Sequence, residues 1–374
     1  MGLATGALPA FPWDTLAPFA AIAREHPRGI VDLSVGTPVD PTPVVVRDAL
    51  IAAANSPGYP TTHGTLALRE AVVAWFARRR GVPGLDPVAV LPTVGSKELV
   101  ALLPSLLGLG AGDVVVHPRT AYPTYDVGAR LAGATPLPAD DVVAWAGANV
   151  RLVWLNSPGN PDGTVRSVDQ LRDVVDAARA VGAVVASDEC YAELAWEEPW
   201  VSQGVPSLLD PRVTGGDLTG LLAVYSLSKQ SNLAGYRAAF VAGDPVLIAG
   251  LLETRKHAGM IVPGPVQAAV TVALGDDAHV AAQREVYRAR RTRLLSGLEA
   301  AGLDIDGSQA GLYLWARPAG APQDCWTTVA DLAALGILAA PGAFYGAAAA
   351  GHVRLALTAP DERIAEAAAR LGGS

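Results

Sequence analysis

The chain has 374 residues, 51% of them hydrophobic and 17% charged, with a formal net charge of −8. So apolar a composition supports a large core and excludes general disorder, while the acidic balance argues against a surface built for nucleic acid or anionic membrane. Two cysteines, Cys190 and Cys325, form no CxxC pair, which excludes a disulfide scaffold and leads us to expect a reducing, cytoplasmic setting.

In chain order, Met1–Trp13 contains no positive charge and no long apolar run, so no signal peptide is expected. Thr93-Val94-Gly95-Ser96-Lys97 opens a helical pattern; a glycine and a hydroxyl at a helix N-terminus present free N–H groups to an anion. Neither GxxxxGK[ST] nor a GxGxxG after a strand is present. Four short apolar runs follow: Asp113–His117, Arg151–Leu155, Ala183–Ser187 and Leu221–Tyr225. Each is bounded by turn residues, as in a parallel sheet covered on both faces. Between the second and third, Ser167-Val168-Asp169-Gln170 reads as a capping box for a helix through Ala180, stopped at Gly182.

The C-terminal part loses this alternation. A helix is expected from about Ala281 to Ala301, then strands at Gly311–Trp315 and His352–Leu357, and a last helix after Pro360. The run Arg288, Arg290, Arg291, Arg293 reads as a solvated helix face. The uncharged stretch Leu332–Gly351, rich in Ala and Gly and broken by Pro341, reads as a packed loop region and not a membrane span. The fold class is therefore α/β: a large domain with a mostly parallel central sheet covered by helices, and a smaller α+β domain. The expected boundaries are 44–275 for the large domain and 276–374 for the small one, with 1–43 packing on the latter.

Polar clusters directly follow three of the apolar runs. Tyr225-Ser226-Leu227-Ser228-Lys229 places a lysine just past a buried strand, where desolvation lowers its pKa and makes the amine a nucleophile toward a carbonyl. Arg237, eight residues on, completes an anion site with the hydroxyls; a surface lysine in a strand–helix loop fits the same stretch. Ser187-Asp188-Glu189-Cys190-Tyr191 puts Asp188 where open α/β sheets bind ligands, at the carboxyl ends of strands. A helix-capping aspartate with a packing tyrosine is the other reading. Asn156-Ser157-Pro158-Gly159-Asn160-Pro161-Asp162-Gly163 is a tight loop able to aim an amide side chain. Together these segments call for a ligand with a phosphate, a protonated ring nitrogen, a ring hydroxyl and an aldehyde, which is pyridoxal 5′-phosphate.

In this order and spacing, with Gly36-Thr37-Pro38 near the start and Arg354 near the end, the motifs resemble the fold-type I, class I/II aminotransferases over nearly the whole chain. The resemblance implies that Lys229 is the catalytic residue: it forms the internal aldimine and then moves the proton between the substrate and the cofactor. It implies that Asp188 pairs with the ring nitrogen, that Asn160 and Tyr191 bind the ring hydroxyl, and that Tyr122 stacks on the ring. Gly95, Ser96 and Lys97, with Ser226 and Arg237, would hold the phosphate, joined by Tyr59 from the neighbouring subunit of a homodimer. Arg354 would grip the substrate α-carboxylate, assisted by Asn160 and Gly36. One departure is Asp162, where the family loop usually has threonine; it can make the same local turn bond.

Transamination is favoured over decarboxylation because Arg354 fixes the carboxylate. A C–S β-lyase, or an aminotransferase for another acidic or aromatic amino acid, is the alternative. A ligand-sensing regulator would need a DNA-binding module ahead of Gly36, which leaves no room for one. The segments Phe11–Leu16, Val31–Pro41 and Gly58–Gly64 look like the actinobacterial N-succinyldiaminopimelate aminotransferases of lysine biosynthesis. That resemblance implies 2-oxoglutarate and glutamate as the second pair and a cation for the distal carboxylates, with Arg119, Lys256 and His257 as candidates; a surface or dimer-contact role is the alternative for all three. Bound metal and nucleic-acid or membrane partners are not expected.

Overall fold

The computed structural model describes residues 8–145, 147–320 and 323–373. The expected signal-free stretch Met1–Trp13 thus falls partly outside the described residues. Seven strands form the main sheet: β1 (Val90–Val94), β2 (Val114–His117), β3 (Thr135–Pro138), β4 (Val150–Asn156), β5 (Val184–Asp188), β6 (Leu221–Ser226) and β7 (Ala238–Gly243). Their order is β1-β7-β6-β5-β4-β2-β3. All neighbours are parallel except β7, which runs antiparallel to β1 and β6. Both edge strands carry proline, Pro92 in β1 and Pro136 and Pro138 in β3. Proline donates no ladder hydrogen bond, so it is tolerated at an edge and blunts it against further pairing.

Successive side chains leave a strand on opposite faces, and the two cores follow that alternation. Val153, Leu155, Val185, Tyr225 and Phe240 pack with the helices Leu66–Arg79, Val168–Val181 and Gly264–Gly275 on one face. Leu152, Trp154, Ala186, Leu222, Val224 and Val241 pack with Ser96–Leu106, Thr124–Leu131 and Pro245–Ala258 on the other. Each such Val or Leu contributes about 1.5–3 kcal/mol by leaving water. The helix Val168–Val181 starts on the Ser167/Gln170 capping box and stops at Gly182, whose φ of 70° is left-handed.

A second, antiparallel sheet joins β8 (Leu303–Ile305), β9 (Tyr313–Pro318), β10 (Ala340–Pro341) and β11 (Val353–Ala356) in the order β10-β11-β9-β8. The helices Asp277–Ala300 and Asp361–Gly372 and the N-terminal residues Leu16, Ala20, Val31 and Leu33 share its core. Val31–Asp32 pairs in parallel with Ile337–Leu338. Among the described residues, no helix is long and apolar enough to cross a membrane, and both cysteines are free and buried.

The basic run on Asp277–Ala300 corrects the sequence reading in part: Arg293 is exposed as expected, but the run as a whole is not a solvated face. Arg290 is only 4% exposed; it pairs with Asp40 at 2.6 Å and with Asp361 at 2.6 Å, bracing the N-terminal segment against the last helix. Arg291 pairs with Glu197, and Arg288 with Glu285. Helical spacing alone does not reveal acids supplied from distant parts of the chain. Arg290→Ala leaves Asp40 half-buried and uncompensated, so it is expected to cost about 3 kcal/mol, measured as a lowered urea midpoint; Asp361 stays solvated, which limits the loss.

Candidate active site

The adjacent ends of β4, β5 and β6 bring the chemistry together. Asn156 lies beside Asp188 in the ladder. Its side-chain amide donates to the carbonyls of Asp188 at 2.9 Å and Pro158 at 3.0 Å, and its Oδ1 accepts from the Asn160 amide at 2.8 Å. The following loop contains cis peptides before Pro158 and Pro161. Asp162 accepts from the Thr164 amide at 3.3 Å and from the Thr164 hydroxyl at 2.9 Å, the local turn bond expected of it. The loop thus presents Asn160 to the cavity.

One cavity of about 500 Å³ is lined by Gly36, Ser96, Lys97, Tyr122, Asn160, Asp188, Tyr191, Ser226, Lys229, Arg237 and Arg354. Gly95 borders it by contact: it has φ of 78°, and a Cβ there would run into the Arg237 guanidinium. Arg237 itself has φ of 55°, a left-handed conformation held in part by its guanidinium bond to the Ala234 carbonyl at 2.8 Å. Gly95 precedes the helix Ser96–Leu106, whose free N–H groups open beside that cation. Ser226 caps the short helix Leu227–Gln230 and donates to the Ser228 hydroxyl at 2.7 Å, so Ser228, which also lines the cavity, belongs with it.

Asp188 is 7% exposed. Its carboxylate accepts from the Tyr125 hydroxyl at 3.0 Å and the Cys190 amide at 3.2 Å, and it forms no ion pair among the described residues. Burial pushes its pKa up, as expected of an acid with no cation beside it. Lys229 donates from Nζ to the Gly36 carbonyl, and burial pulls its pKa down from the ordinary 10.5. Arg354, on β11, donates to Asn160 Oδ1 at 2.9 Å and to the Ser34 carbonyl at 2.7 Å, and lies 3.9 Å over the Tyr313 ring. Its Nε is buried without a partner among the described residues. Between Ser34 and Gly36, the Val35 carbonyl accepts from Thr358 at 3.2 Å.

Two residues that sequence reasoning passed over, Tyr125 and Tyr313, complete the site with Cys190, whose place beside it the Ser187–Tyr191 stretch already gave. Tyr125 holds Asp188. Tyr313 stacks on Arg354, its hydroxyl lies 3.3 Å from that of Tyr191, and it fills the space a Cβ on Gly36 would need. Cys190 lines the cavity, with its thiol 3.5 Å from the Ser96 hydroxyl. Lys97 Nζ stands 5.7 Å from the Phe11 ring centre and 5.8 Å from that of Tyr122, in no ion pair among the described residues. Tyr59 is 99% exposed and stands apart from this cavity. Lys256 pairs with Glu253 at 2.6 Å, and neither it nor His257 lines the cavity; Arg119 lines a neighbouring one.

This set fits pyridoxal 5′-phosphate: an amine of lowered basicity, a buried carboxylate awaiting a cation, and an anion cradle that any Cβ at Gly95 would fill.

Comparison with known proteins agrees. The family model for aminotransferase class I and II matches residues 28–371. The chain is 57% identical to 4-dedimethylamino-4-oxo-anhydrotetracycline transaminase OxyQ of Streptomyces rimosus, covering 97% of this chain and 99% of that protein. It is also 57% identical to a probable aminotransferase of Mycobacterium tuberculosis, covering 99% and 87%. The solved structure of N-succinyldiaminopimelate aminotransferase from Mycobacterium tuberculosis superposes with a TM-score of 0.86 at 28% identity, covering 100% of this chain and 99% of that one. The chain belongs to the class I and II aminotransferases, a family that works with pyridoxal 5′-phosphate, and it has their fold-type I architecture.

Proposed function

We propose that this aminotransferase passes an amino group between L-glutamate and a 2-oxo acid with a distal carboxylate, N-succinyl-2-amino-6-oxopimelate being the leading acceptor. The observation that carries the reaction class is a single cavity that brings Lys229, Asp188 and Arg354 together. The likeness to a solved N-succinyldiaminopimelate aminotransferase supports the same class. A second reading, a bulky cyclic ketone, is favoured by the 57% identity to a protein named for such a substrate.

Pyridoxal 5′-phosphate, when bound, supplies an aldehyde and a ring that draws electrons from the substrate Cα. Gly95, Ser96 and Lys97 would hold its phosphate through the helix N-terminus, with Ser226 and Arg237. Tyr122 would lie against the ring, and Asn160 and Tyr191 would hold its hydroxyl. Asp188 would keep the ring nitrogen protonated, which in turn relieves the cost of its own burial. Arg354 binds the α-carboxylate as a fork, and its unpartnered Nε gains an acceptor there. Asn160 and Tyr313 hold that fork, with Gly36 beside it. Lys229, neutral at a lower pH than a solvated lysine, takes the proton from the substrate Cα and returns it.

The exposed apolar side chains of Val44, Ile51 and Leu66, with the fully exposed Tyr59, support a face covered by a second copy of the chain. Tyr59 would there reach the phosphate of that copy, which makes the site a property of the homodimer.

The test is the visible absorption spectrum of the cofactor-loaded protein. Its yellow band should bleach with glutamate, and most readily with N-succinyl-LL-diaminopimelate. A protein that takes up no pyridoxal phosphate refutes the cofactor site. A band that survives both donors refutes transamination on these substrates.

A further inference from the structure

Tyr191 and Tyr313 both line the cavity, and their rings meet edge to face with centres 5.7 Å apart at 70°. Their hydroxyls lie 3.3 Å apart, and among the described residues neither hydroxyl has another hydrogen-bond partner. The Tyr313 hydroxyl also abuts Gly36, where a Cβ would overlap it, and Lys229 donates to the carbonyl of that same glycine.

Each hydroxyl carries one proton, so the bond between them runs one way at a time. Its direction follows from the charges around it. The guanidinium of Arg354 stands 3.9 Å from the centre of the Tyr313 ring. Burial pushes the Tyr313 pKa up, but Arg354 and then Lys229 more than offset it and bring it below the ordinary 10. Burial, and then Tyr313 itself, hold Tyr191 well above that value. The other ionisable groups that interact with Tyr313, namely Cys190, Tyr287 and Tyr345, are kept protonated by burial. The more acidic hydroxyl is the better donor, so Tyr313 donates and Tyr191 accepts. A hydroxyl that accepts one bond donates a stronger one, and the Tyr191 proton is left to point into the cavity.

We propose that Tyr313 is a positioning residue for the ring hydroxyl of the cofactor: it donates to Tyr191, Tyr191 donates to the ring oxygen, and the two-tyrosine chain draws negative charge out of that oxygen. The Asn160 amide works on the same oxygen, since its Oδ1 is taken by Arg354 at 2.9 Å and its NH2 is left to donate. This rests on the reading in which Tyr191 holds the ring hydroxyl and adds the residue behind it. The aldehyde of pyridoxal is next to that hydroxyl on the ring. Negative charge on the oxygen therefore helps the nitrogen contributed by Lys229 to keep a proton, and drawing the charge away lets the proton leave at lower pH.

The test is a pH titration of the visible band of the cofactor-loaded protein. Tyr313→Phe keeps the ring against Arg354 and removes only the hydroxyl. It should raise the midpoint by about 0.3 pH unit, the strengthening that one added bond gives to a charge-assisted one. Tyr191→Phe should raise it further. Adding Tyr313→Phe to Tyr191→Phe should then change nothing more, because the chain is already cut. An unmoved midpoint in Tyr313→Phe, beside a shifted one in Tyr191→Phe, overturns the proposal. An undiminished second shift in the double variant also overturns it, by showing that Tyr313 acts without Tyr191. If Tyr191→Phe itself moves nothing, the reading of Tyr191 falls instead.

Discussion

Lys229→Ala should lower kcat by about four orders of magnitude or more, since general acid–base catalysis alone contributes up to about 10⁴ and the nucleophile is lost with the base. The one other amine among the described residues that line the cavity is Lys97, which lies over Phe11 and Tyr122 on the helix expected to hold the phosphate; the remaining cations are guanidiniums. The fold should persist, because the amine contributes one bond, to the Gly36 carbonyl, and burying it opposes folding while it is charged. The visible band of the loaded protein should vanish and cooperative unfolding should remain. Full turnover by Lys229→Ala would remove Lys229 from the chemistry altogether.

Asp188→Ala is expected to lower kcat by about 10²–10³ and to loosen the cofactor. The estimate follows from breaking a buried charged pair, about 3–5 kcal/mol, expressed as a rate. The variant also strips Tyr125 of its acceptor, so part of the loss is positional. Asp188→Asn separates the two effects. It keeps one oxygen for the Cys190 amide and turns its NH2 to the Tyr125 hydroxyl oxygen but removes the charge, so it should recover cofactor retention more than kcat. Wild-type kcat in both variants would mean that no cation faces this position during the reaction.

The four apolar runs read from sequence became β2, β4, β5 and β6, because buried parallel strands leave an uninterrupted hydrophobic signature. The other three strands of the main sheet hid for physical reasons. β1 is interrupted by Pro92, β3 is Thr-Pro-Leu-Pro, and four of the six residues of β7 are alanine or glycine, so proline or weak strand formers break each apolar signal. Polar residues directly after apolar runs revealed Asp188, Asn160 and Lys229. Tyr125 and Tyr313 gave no such signal, since each sits where a packing aromatic is expected, and their partners come from 63 and 122 residues away, Asp188 and Tyr191.

Three consecutive carbonyls, of Ser34, Val35 and Gly36, are each taken by a different side chain: Arg354, Thr358 and Lys229. Lys229 follows a strand of the main sheet, while Arg354 and Thr358 belong to the C-terminal layer. A single tripeptide is therefore a shared tie-rod between the group that moves the proton and the group that holds the carboxylate. Any strain along it is felt at both ends, so lesions there should disturb substrate affinity and turnover in proportion, a kinetic fingerprint that neither terminus of the rod would leave alone.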